Sequence, residues 1–160
     1  MISDPHELLK LMGTINYDNF TDEEDYIVRT PKEVLRDKLG ICYDQIELQK
    51  FFLKKMGYKF QLFFAYEKLP ITDNPTHTFL IFEKNNKYFW FETSWGTYHN
   101  IHGPFNSYED AVKYVAEQLK TASKWKKVYV VKYDSPPKGL NINQFGEYIL
   151  KRHGKGKKIL

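Results

Sequence analysis

The sequence predicts an α+β domain in which helices precede an antiparallel sheet. The order of the predicted elements is the main reason, because two helices come before three consecutive strands, and a helix, a strand and a last helix follow. Aromatic residues make up 17% of the 160 residues, which is enough to fill the core of one domain of this length. The candidate strands are apolar on both faces, as is typical of a sheet that is covered on both sides.

The first 40 residues predict an acidic segment followed by one clear helix. Residues 1–29 hold seven acidic and two basic residues, a net charge of −5, and include a candidate short helix over 6–12. Thr30 and Glu33 have the spacing of a capping box around Pro31, and proline suits the first position of a helix. We therefore expect a helix that begins at Pro31 and ends at Gly40.

The central residues predict a long helix and a meander of three strands. The helix covers residues 42–55 and ends at Gly57, because glycine favours the end of a helix. The three strands are rich in Phe, Tyr, Ile and Leu and cover residues 58–66, 77–83 and 88–93. Asn85 and Asn86 form a candidate two-residue turn, because asparagine tolerates a positive φ.

The last third of the chain predicts a helix, a strand and a final helix. Ser107 is expected to cap a helix over residues 108–120, because a serine side chain can accept a hydrogen bond from the first turn. A strand is expected over 125–133. Either Asn141 or Asn143 is expected to cap the final helix.

The charge pattern separates a domain from a tail. Residues 1–150 are expected to form a single domain, with its core over about 30–150 after the acidic segment. Residues 151–160 hold five basic and no acidic residues and are expected to form a mobile, solvated tail. Because this tail accounts for the net charge of +4, no nucleic-acid-binding face is expected.

Composition also excludes several kinds of protein. No run approaches 18 apolar residues, so no membrane span is expected. The single cysteine, Cys42, excludes an internal disulfide framework and a cysteine-rich metal site. Together with the lack of a secretory signal pattern near Met1, it favours the cytoplasm. The sequence leaves the oligomeric state open.

Cys42 has the position of an activated nucleophile. It follows a glycine and begins the long predicted helix, where unpaired backbone N–H groups and the helix dipole stabilise a thiolate. A free cysteine is more often a small buried apolar residue, so this position alone does not define a site. A cysteine nucleophile also needs an imidazole to exchange its proton, and a carboxylate or amide to orient that imidazole.

A histidine and a glutamate on the predicted hairpin satisfy this need. A two-residue turn pairs residues whose numbers sum to 171, so His77 lies opposite Ser94. His77 and Glu92 then share one face of the sheet as diagonal neighbours, with backbones about 7–8 Å apart. The sequence therefore predicts a catalytic arrangement of Cys42, His77 and Glu92.

These residues resemble the transglutaminase-like superfamily of cysteine enzymes. The resemblance covers about residues 31–105 and rests on three motifs in the family's order, namely residues 40–42 (Gly-Ile-Cys), 76–80 (Thr-His-Thr-Phe-Leu) and 90–94 (Trp-Phe-Glu-Thr-Ser). It implies a papain-like α+β core, in which the nucleophile begins a helix that packs on an antiparallel sheet. It also implies that Cys42 is the nucleophile, His77 the base and Glu92 the orienting acid.

The predicted function is cysteine-dependent acyl transfer through a thioester. The expected reaction is hydrolysis of a peptide or amide bond in a peptide or protein substrate, without a cofactor or a metal ion. The sequence does not define the acyl acceptor, so protein cross-linking by transfer to a lysine is an alternative. A catalytically inactive binding domain of the same fold is another.

Two features depart from the pattern of related enzymes. Glu92 stands where the superfamily most often has aspartate, and residues 36–39 lack the glutamine that serves the oxyanion hole of papain-type proteases. The backbone N–H of Cys42 is one expected oxyanion donor. For the second donor the sequence offers Tyr43, Gln45 and Trp95.

A zinc site is an alternative use of some of the same residues. His99 and His102, together with His77 and Cys42, supply four side chains of the types that bind zinc. Their spacing is common by chance, and residues 98–104 have the composition of a polar loop. The sequence therefore favours the enzyme over the metal site.

Overall fold

The computed structural model describes residues 2–160, which contain five α-helices and eight strands. The helices are α1 (Pro5–Met12), α2 (Pro31–Asp37), α3 (Cys42–Lys55), α4 (Tyr108–Thr121) and α5 (Ile142–His153). The strands are β1 (Asn16–Tyr17), β2 (Leu39–Gly40), β3 (Lys59–Tyr66), β4 (Thr76–Lys84), β5 (Lys87–Glu92), β6 (Asn100–Phe105), β7 (Tyr129–Tyr133) and β8 (Lys157–Lys158). The predicted α+β class is confirmed, with bounds that differ by a few residues. Within these residues no helix has the length and apolar character needed to cross a membrane.

Six of the strands form one antiparallel sheet in the spatial order β6-β5-β4-β3-β7-β8. The chain turns between β4 and β5 at Asn85 and Asn86, whose φ angles are 53° and 62°. Two successive positive φ angles give a turn whose twist matches that of the flanking strands. Leu80 pairs with Phe91, so the numbers of paired residues sum to 171 and the predicted register of this hairpin is confirmed.

Apolar side chains cover both faces of the sheet, as the composition of its strands predicts. One face carries Phe64 and Leu80 and packs against α1, α3 and α5. The opposite face carries Phe63, Ile81 and Trp90 and packs against α4. Because successive side chains of a strand point to opposite faces, β3 and β4 contribute to both cores.

The start of α3 is attached to the end of the β4–β5 hairpin. The hydroxyl of Tyr43 lies 2.9 Å from the hydroxyl of Thr76 at the start of β4. The side-chain oxygen of Gln45 accepts a hydrogen bond of 2.9 Å from the hydroxyl of Thr93, just after β5. The helix therefore packs on the sheet with Cys42, its first residue, at the end of these two strands.

Three segments differ from the prediction. β1 and β2 form a parallel pair that no pattern in the sequence indicates, because strands of two residues have no periodicity. A polar loop was predicted over residues 98–104, but residues 100–104 belong to β6 at one edge of the sheet. The expected mobile tail contributes β8 at the other edge, because Ile159 and Leu160 bury apolar surface against the α4 core. The division into a domain over residues 1–150 and a tail stays a prediction.

Candidate active site

His77 and Glu92 form a buried hydrogen-bonded pair at the end of the β4–β5 hairpin. Nε2 of His77 lies 2.6 Å from Oε1 of Glu92, and the two residues are 8% and 2% exposed. The second carboxylate oxygen accepts hydrogen bonds from the backbone N–H groups of Thr93 and Ser94, both at 2.9 Å, and from the Ser94 hydroxyl at 3.1 Å. Both oxygens of Glu92 are thus paired, which offsets the cost of burying a carboxylate.

This hydrogen bond determines which ring nitrogen of His77 is left to exchange a proton. An ionised carboxylate only accepts hydrogen bonds, so Nε2 of His77 carries the hydrogen that it donates to Glu92. Nδ1 is then the nitrogen that can exchange a proton with a nucleophile. An acidic residue orients the histidine of known catalytic triads in the same way.

The surroundings of His77 favour its protonated form. Burial by itself lowers the pKa of His77, because it disfavours the charged imidazolium. The negative charge of Glu92 and hydrogen bonds to the Cys42 and Glu92 side chains oppose burial and raise the pKa of His77 to about 10. At neutral pH the imidazole therefore holds a proton that it can give to a leaving group.

Cys42 and His77 line one open cleft of about 440 Å³ at the end of the sheet. Cys42 is 8% exposed and is the first residue of α3, next to backbone N–H groups that have no partner within the helix. The rest of the lining is uncharged: Tyr17, Pro75, Thr76, Ser94, Trp95, Gly96, Leu119, Ser123 and Trp125. The cleft thus offers a sulfur and an imidazole to a molecule that enters between apolar side chains.

A buried carboxylate fixes the turn that carries Cys42. Asp44 accepts hydrogen bonds from the backbone N–H of Ile41 at 2.8 Å, from that of Arg29 at 2.6 Å, and from the hydroxyl of Tyr26. Burial raises the pKa of Asp44 to about 6, although these hydrogen bonds oppose the shift. The N-terminal segment is therefore attached directly to the first turn of α3.

Two of the predicted oxyanion donors, Gln45 and Tyr43, lie behind the cleft. The amide nitrogen of Gln45 donates to the Gly40 carbonyl at 3.0 Å, and its oxygen accepts the hydrogen bond from Thr93. Tyr43 is buried, and its hydroxyl is engaged with Thr76. Both side chains support the helix, and neither lines the cleft.

Trp95 is the predicted donor that does line the cleft, where the centre of its ring lies 5.6 Å from that of His77. Sequence reasoning missed other lining residues, among them Tyr17, Leu119 and Trp125. Tyr17 belongs to a strand too short to give a periodic signal. Leu119 and Trp125 resemble ordinary core residues, so only the fold reveals that they face a cleft. The catalytic roles of Cys42, His77 and Glu92 stay predictions.

His99 and His102 are turned away from the cleft. Nε2 of His99 lies 3.2 Å from the Leu9 carbonyl oxygen, and Nε2 of His102 lies 2.7 Å from that of Tyr98. Among the residues that the structure describes, no three His, Cys, Asp or Glu side chains are grouped so that they could hold a metal ion. The four-ligand arrangement considered for zinc is therefore not formed there.

The fold and the position of this cleft define an α+β protein of papain-like fold. LapG of Legionella pneumophila has a similar structure, with a TM-score of 0.51 and 15% identity over 92% of this chain and 76% of LapG. Calcium-bound LapG gives a TM-score of 0.50 and 16% identity over 92% and 77% of the two chains. At these identities the similarity shows the fold alone.

An arylamine N-acetyltransferase of Bacillus cereus, described as having a Cys-His-Glu catalytic triad, is a weaker match. Its TM-score is 0.44, with 11% identity over 96% of this chain and 90% of that chain. No protein-family model and no curated protein matches the chain.

Proposed function

We propose that this protein is a cysteine-dependent acyl-transfer enzyme, and that it hydrolyses a peptide or amide bond through a thioester at Cys42. The observation that carries the proposal is the buried hydrogen bond between His77 and Glu92, with His77 and Cys42 lining the same cleft. A buried, oriented imidazole beside a sulfur at a helix start is the combination that nucleophilic catalysis by cysteine requires.

In the first half of the reaction, the Cys42 thiolate attacks the carbonyl carbon of the scissile bond. A carbon–sulfur bond forms, and the electron pair of the carbonyl moves to its oxygen. As the carbonyl reforms, the carbon–nitrogen bond breaks and the leaving nitrogen takes the proton from His77. An amine departs, and the acyl group stays on Cys42 as a thioester.

In the second half, water replaces the amine. His77, now neutral, removes a proton from the water as its oxygen attacks the thioester carbon. The carbon–sulfur bond then breaks, which releases a carboxylic acid and restores the thiolate and the imidazolium. Glu92 keeps the imidazole oriented throughout and stabilises its positive charge, without exchanging a proton itself.

Acylation by p-nitrophenyl acetate tests the nucleophile. The parent is expected to release nitrophenol in a burst and to gain one acetyl group on the peptide that contains Cys42, whereas Cys42→Ala should do neither. His77→Ala should lower the turnover rate by about 100-fold or more, because general acid–base catalysis contributes at least that much. Glu92→Gln should leave an intermediate rate.

Substitutions of exposed residues of the same types provide the controls. His6→Ala and Glu109→Gln change an exposed histidine and an exposed glutamate that do not line the cleft, and they should leave the rate unchanged. Turnover of Cys42→Ala at the parent rate would refute the proposed mechanism. Equal losses of turnover rate in His6→Ala and His77→Ala would contradict the role assigned to His77.

A further inference from the structure

Tyr17 is held beside the segment that carries the proposed nucleophile. β1 pairs with β2 in parallel so that Tyr17 is the partner of Gly40, two residues before Cys42. The next backbone N–H, of Asp18, donates to the Gly40 carbonyl at 3.3 Å. The position of Tyr17 relative to the start of α3 is thus fixed by backbone contacts, even though the two segments are distant in sequence.

The side chain of Tyr17 has a free hydroxyl at the cleft. Tyr17 is 46% exposed and lines the cleft with Cys42 and His77, and no described residue forms a hydrogen bond with its hydroxyl. Partial burial of the phenol and the nearby charge of Cys42 raise the pKa of Tyr17 above its ordinary value. The hydroxyl therefore keeps its hydrogen at neutral and moderately alkaline pH and can donate it.

The proposed reaction needs such a donor. When a thiolate attacks a carbonyl, negative charge develops on the oxygen, and acyl-transfer enzymes stabilise it with preorganised hydrogen-bond donors. The backbone N–H of Cys42, in the first turn of α3, is one donor without an intrahelical partner. The amide of Gln45 and the hydroxyl of Tyr43 are engaged elsewhere, so neither supplies a second one.

We propose that the Tyr17 hydroxyl is the second donor of the oxyanion hole, beside the backbone N–H of Cys42. The inference rests on the proposed acyl-transfer function. Tyr17 donates a hydrogen bond to the carbonyl oxygen as the carbon–sulfur bond forms, and keeps its own proton. The negative charge on the oxygen returns to the carbonyl bond when the leaving group departs, so Tyr17 is unchanged at the end of each step.

A comparison of two reactions of Cys42 tests this role in Tyr17→Phe. Acylation by p-nitrophenyl acetate passes through an oxyanion, whereas alkylation by iodoacetamide is a direct displacement at carbon without one. Loss of one oxyanion donor typically lowers the rate by about 100-fold or more. We therefore expect acylation of Tyr17→Phe to fall by about that factor at pH 7 and alkylation to stay within about twofold of the parent.

Two further variants are measured in the same two reactions as Tyr17→Phe. Tyr58→Phe removes a hydroxyl from a ring that packs on Phe82, outside the cleft, and should change neither rate. Trp95→Phe removes the indole N–H, the other candidate donor in the cleft wall, and should lower the ratio of acylation to alkylation by less than Tyr17→Phe does.

The outcomes separate the two proposals. An unchanged ratio in Tyr17→Phe, whether both rates stay the same or fall equally, or a ratio lowered by Trp95→Phe alone would overturn the assignment to Tyr17 without refuting the acyl-transfer function of Cys42. A parent protein whose Cys42 is neither acylated nor alkylated at pH 7 would overturn the acyl-transfer function itself, and the role of Tyr17 with it.

Discussion

At the residue scale, the proposed reaction depends on the proton that His77 holds between a sulfur and a carboxylate. Three influences act on this imidazole: burial lowers its pKa, while Glu92 and Cys42 raise it to about 10. An ordinary histidine has a pKa of about 6.5 and is mostly neutral at pH 7. The neighbours of His77 therefore keep its imidazole positively charged at neutral pH.

Removal of the Glu92 charge should move the titration of His77 to lower pH. In Glu92→Gln the burial penalty stays while the largest favourable influence is lost, so the pKa of His77 should fall from about 10 towards or below its ordinary value. An NMR titration of the histidine ring protons, with His77→Ala to assign the signal, measures the shift. An unchanged midpoint would contradict the electrostatic role given to Glu92.

The same shift links stability to pH. Because the folded state raises the pKa of His77, its protonation contributes stability that is fully present below about pH 6.5 and is lost as the pH rises through about 10. The free energy of unfolding of the parent, measured relative to Glu92→Gln in urea, should therefore decrease between these two pH values. A difference that is independent of pH over this range would argue against the shift.

At the element scale, β6 shows how glycine and proline obscure a strand. Residues 103 and 104 are Gly and Pro, which are disfavoured inside strands, and the sequence therefore predicts a polar loop. β6 lies at the edge of the sheet, where proline is tolerated, and its pairing with β5 is irregular between Tyr88 and Trp90. Gly103 has a φ of 143°, and a Cβ there would lie 2.8 Å from the backbone oxygen of Tyr88.

Gly103→Ala should therefore destabilise the protein. The substitution puts a side chain in a backbone conformation that favours glycine and against a backbone atom that cannot move aside, for a cost of about 1–3 kcal/mol. Gly96→Ala is the matched control, because a Cβ at Gly96 meets no atom within 4 Å and its φ is not in the left-handed region. Urea unfolding of both variants measures the difference, and equal stabilities would contradict this account of β6.

The elements that sequence reasoning predicted are those with strong local signals. The capping box at Thr30 and Glu33, the start of α3 at Cys42 and the turn at Asn85 all depend on a few adjacent residues, and all are present. The pairing of β4 with β5 follows from that turn, so the proximity of His77 and Glu92 was predictable from the sequence. β1, β2 and β8 depend on contacts between distant segments, which leave no periodic pattern in two residues.

At the scale of the whole molecule, the cleft lies where elements from distant parts of the chain meet at one end of the sheet. α3 contributes the sulfur, the β4–β5 hairpin the imidazole, β1 the phenol of Tyr17, and the end of α4 with the following loop the apolar wall. Apart from Cys42 and His77, no ionisable side chain other than Tyr17 lines the cleft among the residues described. A charged group that entered here would lose water, and the one cationic side chain of the lining, His77, is already paired with Glu92.

This lining should make acylation of Cys42 selective for uncharged acyl groups. Transfer of an unpaired charge into an apolar site is costly, whereas an aromatic acyl group buries apolar surface worth about 25 cal/mol per Å² against Trp95, Leu119 and Trp125. The p-nitrophenyl ester of phenylacetic acid should therefore acylate Cys42 at least about tenfold faster than the mono-ester of succinic acid, since 1.4 kcal/mol corresponds to that factor.

Trp125→Ala should reduce this preference by removing part of the apolar wall, while alkylation of Cys42 by iodoacetamide stays constant and reports that the nucleophile is intact. Faster acylation by the succinic ester would contradict this prediction, because it would mean that the acyl group does not bind against this wall.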